Sequence, residues 1–175
     1  MQKQGGNMGK KLIELSNIPN IEILIDTKWL LKKAMKQNMN ASDIMIRLLA
    51  IDNFYEKNDY GFELYNKMQK TRVSKIKEIP HRMKEYEEDF KVLIKSFEER
   101  GYDSSYPVDL NQNFEVFDGA HRLALAIYFN IEKIPVRFSE KYIDKEYDYS
   151  VQWFNENGLE DLVPFIMSKY NDIMK

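Results

Sequence analysis

Val116-Phe117-Asp118-Gly119-Ala120-His121-Arg122-Leu123 reads as a strand that enters a tight turn and passes straight into a helix. Leu123, Ala124, Ala126, Ile127 and Tyr128 give that helix a buried face, and Asn130 supplies a left-handed stop. Upstream, Tyr106 to Leu110 and Phe114 to Phe117 are short alternating runs around the polar turn Asn111-Gln112-Asn113, the pattern of a β-hairpin. Downstream, Ile134-Pro135-Val136-Arg137-Phe138 reads as a further strand, and Pro135 assigns it to a sheet edge or a strand start. The expected fold is therefore α+β, with a small mixed sheet that includes 106–110, 114–117 and 134–138.

Helices are expected to flank that sheet. Ile21 to Ile25 is a short strand ending at Asp26, which caps a helix carrying Trp29, Leu30, Leu31, Ala34 and Met35. Ser42 or Asn40 caps the next, apolar at Ile44, Met45, Leu48, Leu49 and Ile51, and Asp59 precedes a third with Phe62, Tyr65 and Met68 on one face. Met83, Tyr86, Phe90, Leu93, Ile94 and Phe97 recur at helical spacing after Pro80, and Gly101 closes that helix. Two helical pieces follow Asp148, separated by Gly158, with Pro164 near the start of the second. Trp29, Trp153 and Phe154 are assigned to the core. Gly5, Gly6 and Gly9 lie in a polar start, so residues 1–10 read as a disordered tail or cloning remnant and 11–175 as one domain. Its core is about 78–138, with helical additions at 26–75 and 148–175.

Composition removes several classes. The chain has 175 residues and no cysteine, which excludes a disulfide scaffold, a thiol nucleophile and a zinc–cysteine site. Lys and Arg number 26 against 28 Asp and Glu, so no global positive field exists to hold DNA or an anionic membrane, and specific DNA binding is not expected. No apolar run approaches the length of a membrane span, and no signal-peptide core is visible. A cytoplasmic location is the expectation.

The chemistry concentrates at Asp118 to Arg122. The first backbone N–H groups of a helix have no internal partner, and the helix dipole adds partial positive charge there. Gly119 removes the side chain that would block close approach, and His121 and Arg122 bring two more donors to the same end. These features describe an anion site suited to phosphate. The same residues also fit an ordinary capped turn, with Asp118 as N-cap, His121 at the surface and Arg122 paired to Glu98 or Glu99. The segment from Lys67 to Lys84 is locally basic, and it reads either as a solvated helix end or as a wall of that anion site. Arg72, His81 and Arg82 are its phosphate candidates. Glu78 and Asp109 stand behind Asp118 as carboxylates able to serve as a base.

The order of elements and the Asp118-Gly119-Ala120-His121-Arg122 block resemble the ParB/sulfiredoxin superfamily over roughly residues 83–138. The resemblance implies a nucleotide whose phosphates lie on Gly119, Ala120, His121 and Arg122. Asp118 would fix the turn or sit near a magnesium ion on the phosphates. Sulfiredoxins carry their catalytic cysteine at the position of Ala120, so sulfinic acid reduction is excluded here. ParB partition proteins carry a helix-turn-helix after this domain; the residues after Phe138 hold two helical pieces, so partition is not expected. The free-serine kinases of the superfamily have Asp-Gly-His-His-Arg, one position different from this block. The chain also resembles compact ParB-like proteins encoded among bacterial surface-polysaccharide genes.

The functional expectation is a nucleotide-dependent phosphotransferase acting on a small hydroxylated metabolite, with ATP, ADP or another nucleotide and Mg2+ as its cofactors and Asp118 and His121 as its catalytic pair. The alternative is a nucleotide-binding or nucleic-acid-associated module without chemistry of its own.

Overall fold

The computed structural model describes residues 21–76, 83–139 and 148–175. It is α+β: helices flank a four-stranded mixed sheet. In chain order the elements are β1 (Ile21–Asp26), α1 (Thr27–Lys36), α2 (Ser42–Phe54), α3 (Gly61–Ile76), α4 (Met83–Arg100), β2 (Val108–Leu110), β3 (Val116–Asp118), α5 (Ala120–Tyr128), β4 (Lys133–Phe138), α6 (Val151–Glu156) and α7 (Val163–Ile173). A 3-10 turn, Glu160–Leu162, precedes α7.

The sheet order is β1-β4-β2-β3. β4 runs antiparallel to β1 and parallel to β2, while β2 and β3 form the hairpin. Pro135 thus lies inside a central strand, neither at an edge nor at its start. The register accommodates it: Pro135 faces Leu24 of β1, and the ladder to β2 begins one residue later at Val136. The hairpin is tighter in its strands and longer in its turn than the alternation predicts. The Asn111 side-chain carbonyl accepts from the N–H groups of Asn113 and Glu115 at 2.9 and 3.0 Å, and Phe114 takes a positive φ of 65°. Those bonds hold Phe114 and Glu115 in the turn, so β3 begins only at Val116. The Phe114 ring meets Phe138 and Trp29 edge-on at 5.1 and 5.3 Å. Trp29 itself is 47% exposed, a partner of the hairpin turn and no part of the core.

Asp26 caps α1 as expected, accepting from the Trp29 N–H at 2.6 Å. Neither Asn40 nor Ser42 caps α2. The Ser42 hydroxyl donates back to the Met39 carbonyl, and Asn40 ties distant segments together: its amide donates to Glu115 at 2.8 Å and its carbonyl accepts from the Tyr149 N–H at 2.8 Å.

Every residue of α2 from Ser42 to Ile51 is buried. A helix enclosed on all sides is a core helix, and α2 packs against α3, α5 and α7. Its junction with α3 is close: a Cβ on Gly61 would lie 2.0 Å from the Leu49 carbonyl oxygen. This central position carries Asp43 and Arg47 into the interior beneath α5. Among the described residues, no helix is long and apolar enough to cross a membrane.

Candidate functional site: the start of α5

Gly119 ends β3 and is the N-cap of α5, at φ 90°. No side chain caps this helix, and the orphan N–H groups of its first turn lie at the positive end of its dipole. Asp118, the alternative cap, is two-thirds exposed and bonds Arg122 instead, at 3.2 Å. A second Arg122 donor reaches the Pro107 carbonyl at 3.1 Å. Arg122 therefore pairs across its own turn and with neither Glu98 nor Glu99. A Cβ on Gly119 would sit 2.9 Å from an Arg122 guanidinium nitrogen and 3.1 Å from the Val108 Cα. Glycine at 119 thus serves the left-handed turn and also lets the guanidinium fold over the helix start.

His121 does not extend into solvent from the first turn. Its ring packs 4.5 Å from the Phe90 ring centroid, and its Nε2 lies 2.9 Å from the Tyr65 hydroxyl. Gln69, fully buried one turn further along α3, donates its amide to the same hydroxyl at 2.9 Å. The Tyr65 proton has two acceptors in reach, the His121 Nε2 at 2.9 Å and the Tyr86 carbonyl at 3.5 Å, and the shorter contact takes it. His121 then keeps its own proton on Nδ1, the ring nitrogen nearer the helix backbone. Burial holds the imidazole well below its ordinary pKa of 6.5, and the Arg47, Arg72 and Arg122 charges depress it further. His121 is neutral at physiological pH.

The same interior holds Arg47, 2% exposed, which donates to the Asp43 carboxylate at 2.7 Å and to the Asp43 carbonyl at 3.0 Å. Burial raises the Asp43 pKa, with Arg47 and Arg72 pulling the other way. Tyr65 is likewise raised by burial and lowered by Arg47, Gln69 and Arg72. Two polar atoms in this cluster, Arg47 Nε and Gln69 Oε1, are buried without a hydrogen bond.

Arg72 therefore shares one electrostatic neighbourhood with His121, Asp43 and Tyr65, while Lys67 turns away to pair with Asp161 at 2.6 Å. Glu78, His81 and Arg82 lie outside the described residues. Asp109 is removed from the site by a bidentate pair with Arg137, at 2.8 and 2.9 Å. Ala120 is the first residue of α5. Asp43, Arg47, Tyr65 and Gln69 belong to the site and are absent from the sequence reading as functional residues. Asp43 and Arg47 stand one helical turn apart, a spacing that ordinarily marks a surface ion pair.

On the Arg122 side, a cleft of about 590 Å³ opens between the end of α4 and the loop that follows it. Phe97, Arg100, Tyr102, Tyr106 and Arg122 are among its walls. The Tyr102 hydroxyl donates to the Tyr106 carbonyl at 2.9 Å, and burial raises its pKa against the pull of Arg122. Among the described residues, no three histidine or carboxylate side chains cluster to form a metal site.

Comparison with family models, with curated proteins and with solved structures finds no match to this chain.

Proposed function

We propose that the protein binds a nucleotide through its phosphates at the start of α5 and transfers a phosphoryl group to a small hydroxylated acceptor. One observation carries the reading. The start of α5 carries no side-chain cap, Gly119 turns into it at φ 90°, and the Arg122 guanidinium folds over it. Oriented N–H donors beside a guanidinium are what a phosphate chain requires. The resemblance of Asp118 to Arg122 to the ParB/sulfiredoxin phosphate loop supports the same ligand.

Phosphoryl transfer asks little covalent chemistry of a protein; positioning and charge stabilisation do most of the work. The N–H groups of Ala120, His121 and Arg122 hold phosphate oxygens, with the Arg122 guanidinium beside them. Neutral His121 offers Nδ1–H as a donor without adding a charge that its surroundings resist. Asp118, with one oxygen on Arg122, orients the acceptor hydroxyl through the other and receives its proton as the hydroxyl oxygen bonds the terminal phosphorus; the bond from that phosphorus to the bridging oxygen breaks, and the nucleotide leaves one phosphate shorter. Mg2+ fits as an ion carried on the phosphates, since ions of this kind take one or two carboxylates and keep several waters; its chemistry is to neutralise the phosphate charge. Asp118 would hold it through water, which leaves its free oxygen for the acceptor.

The pairing of Asp118 with Arg122 also suits a nucleotide-binding module without turnover. Incubation with ATP or ADP, Mg2+ and a panel of sugars and amino-acid hydroxyls separates the two. The phosphotransferase reading expects a phosphorylated acceptor whose yield falls at least tenfold in Asp118→Asn. Nucleotide binding without any phosphorylated product selects the module.

A further inference from the structure

The cleft between the end of α4 and the loop that follows it shares Arg122 with the start of α5. Its floor is aromatic: Phe97 is buried and meets Tyr102 edge-on at 5.7 Å. Tyr102 is fixed by its bond to the Tyr106 carbonyl. Tyr106 is 60% exposed, so a large aromatic side chain stands on the rim with most of its surface in water. Arg100 and Arg122 bring two cations to the walls. The Arg122 Nε is buried without a hydrogen bond. A volume of about 590 Å³ falls within the range of small-molecule sites.

We infer that this cleft is the subsite for the planar base of the nucleotide, with Tyr106 as its stacking residue. The inference rests on the phosphate reading of the α5 start and adds the part of the ligand that this reading leaves unplaced. Arg122 lies between the two halves: one face of its surroundings is the helix start and the other is the cleft. A ligand with phosphates on the α5 N–H groups and a flat ring against Tyr106 spans both. A base stacked on an aromatic side chain contributes about 1–3 kcal/mol by alanine substitution, independent of the identity of the base.

Calorimetry on the full chain tests this with two probes, ATP and inorganic tripolyphosphate, each with Mg2+. Tyr106→Ala is expected to weaken ATP by about 5- to 150-fold and to leave tripolyphosphate unchanged. Tyr106→Phe keeps the ring and is expected to retain wild-type ATP affinity to within about twofold. Tyr106 is exposed, so both variants are expected to fold, and circular dichroism checks that they do. Unchanged ATP affinity in Tyr106→Ala overturns the subsite and leaves the phosphate reading intact. Equal affinity of the wild type for ATP and tripolyphosphate also overturns the subsite alone, because the base then contributes nothing. Equal loss of both probes in Tyr106→Ala overturns it too. Failure of the wild type to bind either probe overturns the subsite together with the phosphate reading.

Discussion

Arg47→Ala is expected to destabilise the protein by about 3–5 kcal/mol, the usual cost of leaving one member of a buried ion pair without its partner. Asp43 would remain buried with its main counter-charge gone, and the truncation would also open a cavity in the middle of the core. A domain of this size is stable by only about 5–15 kcal/mol, so the variant is expected to melt some 6–20 °C lower. Thermal denaturation followed by circular dichroism measures it. The companion is Asp43→Leu with Arg47→Met, which replaces both charges by apolar groups of similar size. That double variant is expected to recover most of the lost stability. If it does, the pair does not exist for stability, and loss of nucleotide affinity in the double variant then assigns Arg47 to the site. A single Arg47→Ala variant with an unchanged melting temperature contradicts the buried network.

His121→Ala is expected to cost about 2–4 kcal/mol at neutral pH. The substitution removes a ring packed on Phe90 and takes away one of the two partners that hold the Tyr65 hydroxyl at 2.9 Å. The variant also changes the pH profile, and the sign follows from the depressed pKa. Between the folded value and the ordinary 6.5, the unfolded chain binds a proton that the folded chain refuses. Wild-type stability therefore falls as pH drops below about 6.5, by at most about 1.4 kcal/mol per pH unit from this group. Asp43 acts in the opposite sense at the acid end. Its raised pKa makes the stability it contributes largest below 3.8 and lost as pH rises through the folded value. Urea denaturation between pH 7 and pH 5 is expected to show a falling midpoint in the wild type and a flatter one in His121→Ala. Parallel profiles in the two proteins would place His121 in contact with solvent, outside the network.

Local signals in the sequence carried over well into structure. Gly101 and Asn130 take the left-handed conformation that their places in the pattern require, and Asp26 caps α1. These readings depend on a few neighbouring residues, so a sequence window contains what decides them. Pro135 fails as an edge marker because its strand is central by virtue of β1, more than a hundred residues earlier in the chain. Asn40 is read as a cap because that is its commonest local use; its partners Glu115 and Tyr149 are distant in sequence. The candidate site divides in the same way. Gly119, His121 and Arg122 are visible as a motif at one helix start. Asp43 and Arg47 carry charge on a helix enclosed on every side, where a 3.6-residue period no longer separates surface from core. Tyr65 is read as a core residue because it lies on the apolar face of α3, and only the position of α5 shows that its hydroxyl meets His121. The inward turn of His121 is a consequence of that same packing, and no spacing in the sequence announces it.

Phosphate binding at the start of α5 is tested most directly by calorimetric titration of ATP with Mg2+ into the wild type and Arg122→Ala. Arg122 supplies a charge-assisted hydrogen bond worth about 1.5–3 kcal/mol to a phosphate. Binding to the wild type is expected to saturate, and the affinity of the variant is expected to be roughly ten- to hundredfold weaker. Absence of binding to the wild type, or equal affinity in the two proteins, would contradict it.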